Sequence, residues 1–382
     1  MLSLPPLSLY IHVPWCVRKC PYCDFNSHQA EGDLPEQAYV DALLADLDAD
    51  RHWVQDREIR SIFIGGGTPS LLSAKAYERL FDGLKKRLTF AHDIEITLEA
   101  NPGTFEADKF AAYRKLGINR LSMGIQSFND DHLKALGRIH DTAQAQKAIK
   151  LAKKAGFDNF NLDLMYGLPG QTVEQALTDL KTALSFNPPH LSWYQLTIEP
   201  NTEFYKYPPK LPQDDDLWDI QEAGLALLAE QGFEHYEISA HARPGHAARH
   251  NLNYWQFGDY LGIGAGAHGK ITIEDANVIL RTQKTRMPKD YLNPEKTFLS
   301  SKQSIEPEDI GLECLMNALR LKDGIAVDDF EDRTGLRLEH VAEPINKAQQ
   351  LGLLNVDRRI YATEKGQQYL NELLALFLTD EE

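Results

Sequence analysis

Cysteine is scarce in this chain. There are four in 382 residues, and three of them, Cys16, Cys20 and Cys23, fall within eight positions. A structural disulfide set would pair its cysteines and spread them, so this distribution excludes a disulfide scaffold and points to a metal site in a reducing compartment. Long apolar runs are missing too. No stretch reaches the roughly 18 apolar residues of a membrane-spanning helix. Positive charge is in deficit, with 40 Lys and Arg against 56 Asp and Glu, a net charge of -16. That balance excludes the basic footprint of a nucleic-acid binder and argues against adhesion to anionic lipid. The N-terminus, Met-Leu-Ser-Leu-Pro-Pro, has neither the basic start nor the apolar core of a signal peptide. The expected setting is the cytoplasm.

What is present begins with Pro14-Trp15-Cys16-Val17-Arg18-Lys19-Cys20-Pro21-Tyr22-Cys23-Asp24-Phe25. Soft thiolates select zinc, copper(I) or an iron–sulfur cluster. Three thiolates leave one position open on a four-iron cluster, and chemistry can happen there. Zinc would need a fourth ligand, with His12 and His28 as candidates, and the second cysteine knuckle usual for structural zinc is missing. A zinc-stabilised binding module and a three-thiolate cluster both remain open. Arg18 and Lys19 can offset the charge of a thiolate cluster or simply face solvent. Cys314 reads as a buried structural thiol.

Strand and helix patterns alternate along the first half. Ser8–Val13, Ser61–Ile64, Glu95–Ala100, Arg120–Gln126, Asn159–Met165 and Leu191–Thr197 read as strands. Helices are predicted from Pro35 to about His52, after Ser73, up to Leu116, from Thr142 to Ala155, and from about Thr172. Such a series predicts a parallel sheet, as a partial barrel or an open doubly wound sheet. Beyond Thr197 the rhythm changes. A proline-rich connection leads to a helix from Asp214 to about Gln231, a strand-like Glu234–His241, a glycine-rich run over 261–269, and a mostly helical end from about Glu306. The expected division is 1–212 for the barrel and cluster loop, 213–300 for a flanking extension, and 301–382 for a small helical, winged-helix-like domain.

In βα folds of this kind the site lies at the C-terminal ends of the strands. Polar residues there are the candidates. Gly65-Gly66-Gly67-Thr68 allows close backbone approach to a ligand, or is a plain tight turn. Glu99 can pair with an ammonium or accept from hydroxyls, or is a solvated acid. Gln126 ends its strand. The Arg138 guanidinium is a natural partner for a carboxylate, or part of a surface ion pair. Asp163, inside an apolar strand, would cost on the order of several kcal/mol if unpaired, so it needs a defined partner.

Cys-x3-Cys-x2-Cys with the aromatic Tyr22 before its last cysteine resembles the signature of the radical S-adenosylmethionine superfamily. The resemblance implies a [4Fe-4S] cluster on Cys16, Cys20 and Cys23. In such proteins the open iron chelates the methionine half of S-adenosylmethionine, and one electron from the cluster breaks the sulfonium bond. It also implies a partial (β/α)6 barrel with a small, mostly helical C-terminal domain. Over nearly the whole chain the motifs are similar to the oxygen-independent coproporphyrinogen III oxidase-like branch. Carried over on that basis, the S-adenosylmethionine contacts are Tyr10, Tyr22, Gly66, Gly67, Thr68, Glu99, Gln126, Arg138 and Asp163, with a backbone contact at Thr197.

Within the branch, dehydrogenases carry a further cysteine where this chain has Phe25, and a longer N-terminal extension. His250-Asn251-Leu252-Asn253-Tyr254-Trp255 instead resembles the His-Asn-x-x-Tyr-Trp motif of the HemW-like heme chaperones. That likeness implies heme as cargo, handed to acceptor proteins with membrane respiratory subunits among the candidates. An imidazole such as His250 can ligate heme iron, and Tyr254 and Trp255 offer flat apolar surface to a porphyrin. A hydrogen-bonded structural histidine is the other reading of His250, and His28, His241, His246 and His268 are other candidate ligands. The expected function is heme binding and transfer. Radical decarboxylation of coproporphyrinogen III is the alternative.

Overall fold

The computed structural model describes residues 1–103 and 107–378. Seven strands form its parallel core. They are β1 (Leu7–Val13), β2 (Ile59–Gly66), β3 (Phe90–Ala100), β4 (Arg120–Gln126), β5 (Phe160–Tyr166), β6 (His190–Gln195) and, from later in the chain, Asp259–Ile263. The connecting helices are α1 (Glu36–Asp50), α2 (Ala74–Lys85), α3 (Ala107–Leu116), α4 (Thr142–Lys154) and α5 (Val173–Leu184). Local chemistry sets their ends. Ser73 caps α2 by accepting from the Ala76 amide at 3.2 Å, and Thr172 with Gln175 forms a capping box on α5. Gly117 and Gly156 stop the preceding helices at φ +106° and +87°.

Strand alternation then divides the side chains. In β1, Leu7, Leu9, Ile11 and Val13 are fully buried and share one core with Tyr39, Leu43 and Leu47 of α1. The opposite face is polar. Ser8 meets Ser61 at 2.8 Å, and Asn161 reaches both Ser122 (2.8 Å) and Asp163 (2.7 Å). The sheet therefore buries its apolar face under helices and keeps a polar face for a ligand.

After α6 (Asp214–Glu230) come β7 (Glu234–Glu237), β8 (Ala240–Ala242), α7 (Arg249–Trp255), β9 (Asp259–Ile263), β10 (His268–Ile273), β11 (Val278–Lys284) and β12 (Leu299–Ser304). The strand order is β12-β11-β10-β9-β1-β2-β3-β4-β5-β6-β8-β7. Among the described residues the two edges do not pair, so the expected partial barrel is an open one. All six expected strands are present, and further strands extend the sheet at both edges. The glycine-rich run turns between two strands, β9 and β10, and the strand-like Glu234–His241 is a hairpin. Residues 213–300 thus feed strands to both sides of the sheet.

A second core joins Leu2, Phe257 and Ile279 to residues from 305 to 377. It contains α8 (Pro307–Ala318), further short helices and a three-stranded sheet, Ile325–Ala326, Arg359–Ala362 and Leu354–Val356. Cys314 is fully buried there, and burial pushes its thiol up to about 12.

Candidate functional site

The cysteine loop leaves the C-terminal end of β1. Trp15–Cys16 pairs in parallel with His28–Gln29, so the loop closes on its own root, and the Cys23 amide donates to the Cys20 carbonyl at 3.1 Å. The glycine run after β2 is stitched to it. Gly67 N donates to Val13 O and Thr68 N to Trp15 O, both at 2.7 Å. A Cβ on Gly67 would lie 2.5 Å from the Trp15 carbonyl oxygen, and one on Gly66 (φ +111°) 2.5 Å from His12. Glycine is required at 67 by the backbone of the cysteine loop, and at 66 by its positive φ and the His12 ring.

Burial pushes the Cys16 and Cys23 thiols up, with hydrogen bonds from Thr68 and Ser27 at Cys16, and from Phe25 and Ser27 at Cys23, opposing it. A metal must therefore displace protons as it binds. Arg18 lines the adjoining cavity. Lys19 instead donates to the Phe25 carbonyl at 3.1 Å.

That cavity has a volume of about 520 Å³ and lies on the polar face of the sheet. Cys16, Cys20 and Cys23 line it together with Tyr22, Gly66, Gly67, Thr68, Glu99, Gln126, Arg138 and Asp163. Tyr10 does not. Its hydroxyl meets His12 Nδ1 at 3.0 Å, and its ring lines a neighbouring pocket that shares Gly66 and Glu99. Thr197 lines the main cavity and donates its hydroxyl to Glu199 at 2.7 Å.

Three charged groups set the electrostatics. Glu99 accepts from the Gly66 amide at 3.1 Å, and burial with nearby Asp163 pushes its carboxyl up to about 8. Asp163 is also raised by burial, opposed by hydrogen bonds that include those of Ser122 (3.0 Å) and Asn161 (2.7 Å). Arg138 donates to Asn101 (2.6 Å), Gly124 O (2.9 Å), Tyr22 (3.4 Å) and Cys20 Sγ (3.5 Å). Its Nε is buried with no acceptor. Gln126 sits at φ +68°, a conformation rare outside glycine, and accepts from Tyr194 at 2.8 Å. The conformation falls at a register break between β4 and β5, between Gly124 and Gln126.

The hexapeptide forms α7, which lies across the starting ends of β2 and β3, opposite the cysteine loop. Arg249 reaches Asp93 at 2.7 Å and the His250 amide reaches Glu95 at 3.2 Å. His250 is 1% exposed, with Nδ1 2.9 Å from Ser61 and Nε2 3.0 Å from Tyr254. Burial pushes its imidazole down to about 3, so it is neutral. Asn251 and Trp255 face the main cavity. Tyr254 faces the neighbouring pocket, against Tyr260. The motif is therefore split among a buried strut and two cavities.

The donor set fits an iron–sulfur cluster and an amino-acid-like cofactor. Three thiols of one loop border a cavity that also holds an acid with one protein donor and a guanidinium with an unpartnered Nε. A ligand bearing an ammonium and a carboxylate would complement both. Zinc fits less well. Among the described residues no three His, Cys, Asp or Glu side chains converge on a single-ion site. His12 already holds Tyr10 and, at 2.9 Å through Nε2, the Asn26 carbonyl.

Several lining residues carried no sequence signal that singled them out. Asn101 bridges Arg138 and Thr68, the latter at 3.0 Å. Ser192 and Tyr194 alternate inward on β6, a pattern visible once that strand's polar face is known. Glu237 and Arg320 arrive from distant segments.

Comparison with known proteins defines the class first. Residues 10–183 match the Radical SAM superfamily model and residues 305–369 the HemN C-terminal domain. The coproporphyrinogen III oxidase (HemN) structure from Escherichia coli superposes with a TM-score of 0.83 at 26% identity, covering 98% of this chain and 90% of that one. Full-length relatives narrow the class. The chain is 53% identical over 381 residues to the heme chaperone HemW of Escherichia coli K12, and 54% over 387 residues to that of Haemophilus influenzae, with 100% of each chain covered in both cases. It is 34% identical to the heme chaperone HemW of Bacillus subtilis, over 97% of this chain and 99% of that one. The chain belongs to the HemW family of the radical S-adenosylmethionine superfamily. No helix among the described residues is long and apolar enough to cross a membrane.

Proposed function

We propose that this protein is a cytoplasmic heme chaperone that holds a [4Fe-4S] cluster on Cys16, Cys20 and Cys23, binds S-adenosylmethionine and passes heme to acceptor proteins. The observation that carries the reading is one cavity, bordered at one end by the cysteine loop and at the other by Asn251 and Trp255 of α7. The cluster, when bound, would supply one electron to the cofactor. Around it the chain's own residues would act by position. Glu99 would take the cofactor's ammonium, Arg138 its carboxylate, and Asp163 its ribose hydroxyls, with Tyr22, Gly66, Gly67, Thr68 and Gln126 shaping the same site and Tyr10 backing it from the neighbouring pocket through the shared Gly66 and Glu99. Trp255 would lie against heme, while His250 and Tyr254 hold α7 in place. The division at 212/213 and 300/301 belongs to this proposal, with the last segment closing the cavity from outside the sheet.

The deciding experiment offers anaerobic, cluster-loaded protein coproporphyrinogen III, S-adenosylmethionine and a reductant. Mass spectrometry then follows the loss of two carboxyl groups. The expected result is no decarboxylated product, together with transfer of bound heme to an apo-acceptor. Decarboxylated product would overturn the chaperone reading and make this a coproporphyrinogen III dehydrogenase.

A further inference from the structure

At the end of the cavity away from the cysteine loop lies a cation with nothing to hold. Arg320 follows α8, and the strand-like contact of Leu321 with Glu237, with Lys322 N donating to Tyr236 O at 3.1 Å, fixes its segment to the sheet edge. Its guanidinium carbon sits 4.5 Å from the centroid of the Trp255 ring. Arg320 Nε is buried without an acceptor, and so is the Trp255 indole Nε1. Both residues line the cavity. An indole nitrogen can only donate, and a guanidinium only donates. Two buried donors on one wall, both unsatisfied, define a site for an acceptor.

The neighbouring acid does not fill that role. Glu237 favours the charge of Arg320 through space but only partly offsets the effect of burial, which pulls against it. Its Oε1 accepts from the Ser239 amide at 3.1 Å, and burial raises its carboxyl. A single cation beside an acid suits a monoanion better than a phosphate dianion. Stacking on the indole leaves the planar edge of the guanidinium available, and that fork matches a carboxylate. Met165, Leu196 and the Trp255 ring add apolar walls, which suit a carboxylate carried on a large apolar body.

We propose that Arg320 and Trp255 form a carboxylate site that takes a propionate side chain of a tetrapyrrole lying along the cavity. The proposal rests on the heme-cargo reading above. It gives the C-terminal unit a part in holding cargo, through a residue outside the His-Asn-x-x-Tyr-Trp motif. Arg138, bonded to Cys20 and Tyr22 at the other end, serves the cofactor's carboxylate instead.

The test compares binding of hemin and hemin dimethyl ester to cluster-loaded protein, in one detergent buffer, for wild type, Arg320→Gln, Arg320→Lys and Trp255→Phe. Wild type is expected to bind the acid about tenfold more tightly than the ester. Arg320→Gln should lose that preference, weakening for hemin and not for the ester, with S-adenosylmethionine affinity and the cluster's visible absorption unchanged. Arg320→Lys, which keeps the charge beside Glu237 and guards against misfolding, should retain part of the preference. Trp255→Phe, which keeps a ring but removes the donor, should lose a smaller part. Equal binding of acid and ester by wild type overturns the carboxylate site and leaves heme cargo standing. Equal losses for both ligands in Arg320→Gln overturn it too, as does a fall in S-adenosylmethionine affinity. If wild type binds neither, the cargo reading fails and takes the proposal with it.

Discussion

The two ends of the cavity are built in different ways. The cysteine end is one short loop rooted by its own backbone and by the glycine run after β2, with Arg138, Phe204 and the Ala265 and Arg286 carbonyls bracing its far side. The other end is assembled from β7, α7 and the segment after α8, residues as far apart as Glu237, Trp255 and Arg320. A loop that carries its own chemistry can be read as a motif. An assembled wall has no motif, because tertiary packing alone brings its parts together. The ends also differ in charge pattern. Near the cysteines an acid pushed up to about 8 shares the wall with the unpartnered Nε of Arg138, and across the cavity the unpartnered atoms are Arg320 Nε and Trp255 Nε1.

The sharpest way to separate the ends is to remove a thiol. Cys23→Ala should abolish the broad visible absorption and the iron content of the reconstituted protein, because the cluster would keep only two protein thiolates. The fold should survive, since Cys23 is half-buried and contributes to none of the hydrophobic cores. Unchanged iron and spectrum would sink the ligand assignment. If heme binding at the α7 end persists in this variant, the two ends work independently.

The same contrast explains what was legible. Local patterns placed β4 at Arg120–Gln126, the residues the sequence pointed to, because strand alternation and flanking glycines are local facts. The cysteine loop, Glu99 and Gln126 were legible for a related reason, each lying at a strand end or in the loop after it, whereas Asp163 sits inside β5 and Arg138 follows a short helix, Asp130–Ala135, so these two rest on the family motif. Strands β9 to β12 were not. Glycines in and between β9 and β10, at 262, 264, 266 and 269, hid the alternation there, and the pairing of β9 with β1 joins residues about 250 positions apart. Tyr10 is a cofactor contact by family resemblance alone, and its hydroxyl turns to His12. His250 reads from sequence either as a heme ligand, by resemblance, or as a hydrogen-bonded structural histidine. Only the fold shows Ser61 and Tyr254 on its two nitrogens.

A smaller but still large effect is expected at Glu99. An acid raised from 4.5 to about 8 by burial prefers its proton in the folded state. Its contribution to stability is present below the unfolded value and is lost as pH rises towards 8. Glu99→Gln removes that loss. Cluster-loaded protein without S-adenosylmethionine should therefore melt a few degrees higher than wild type at pH 8 to 9 and about equally at pH 5. Binding should move the other way. Without the carboxylate, S-adenosylmethionine affinity should fall about 10- to 100-fold, a loss of ~1.4 to ~2.8 kcal/mol. Calorimetric titration beside thermal melts reads both. Wild-type affinity in the variant would remove Glu99 from the cofactor site, whatever the melts show.

The smallest effect on ligands is expected at the residue that most resembled a heme ligand. His250 is a strut, joined to Ser61 on β2 and to Tyr254 one turn along α7. Removing a buried side chain with two hydrogen bonds should destabilise the protein by about 2 to 4 kcal/mol. Heme, by contrast, would lose only what a slightly looser α7 costs Trp255. His250→Ala should lower the melting temperature clearly while heme affinity stays within about threefold and the Soret band keeps its position. His250→Gln, which can still meet Ser61 or Tyr254, should recover part of the stability. A shifted Soret band with little change in melting temperature would mean the opposite. The imidazole would then leave Ser61 and Tyr254 to reach iron, and α7 would have to turn when heme arrives.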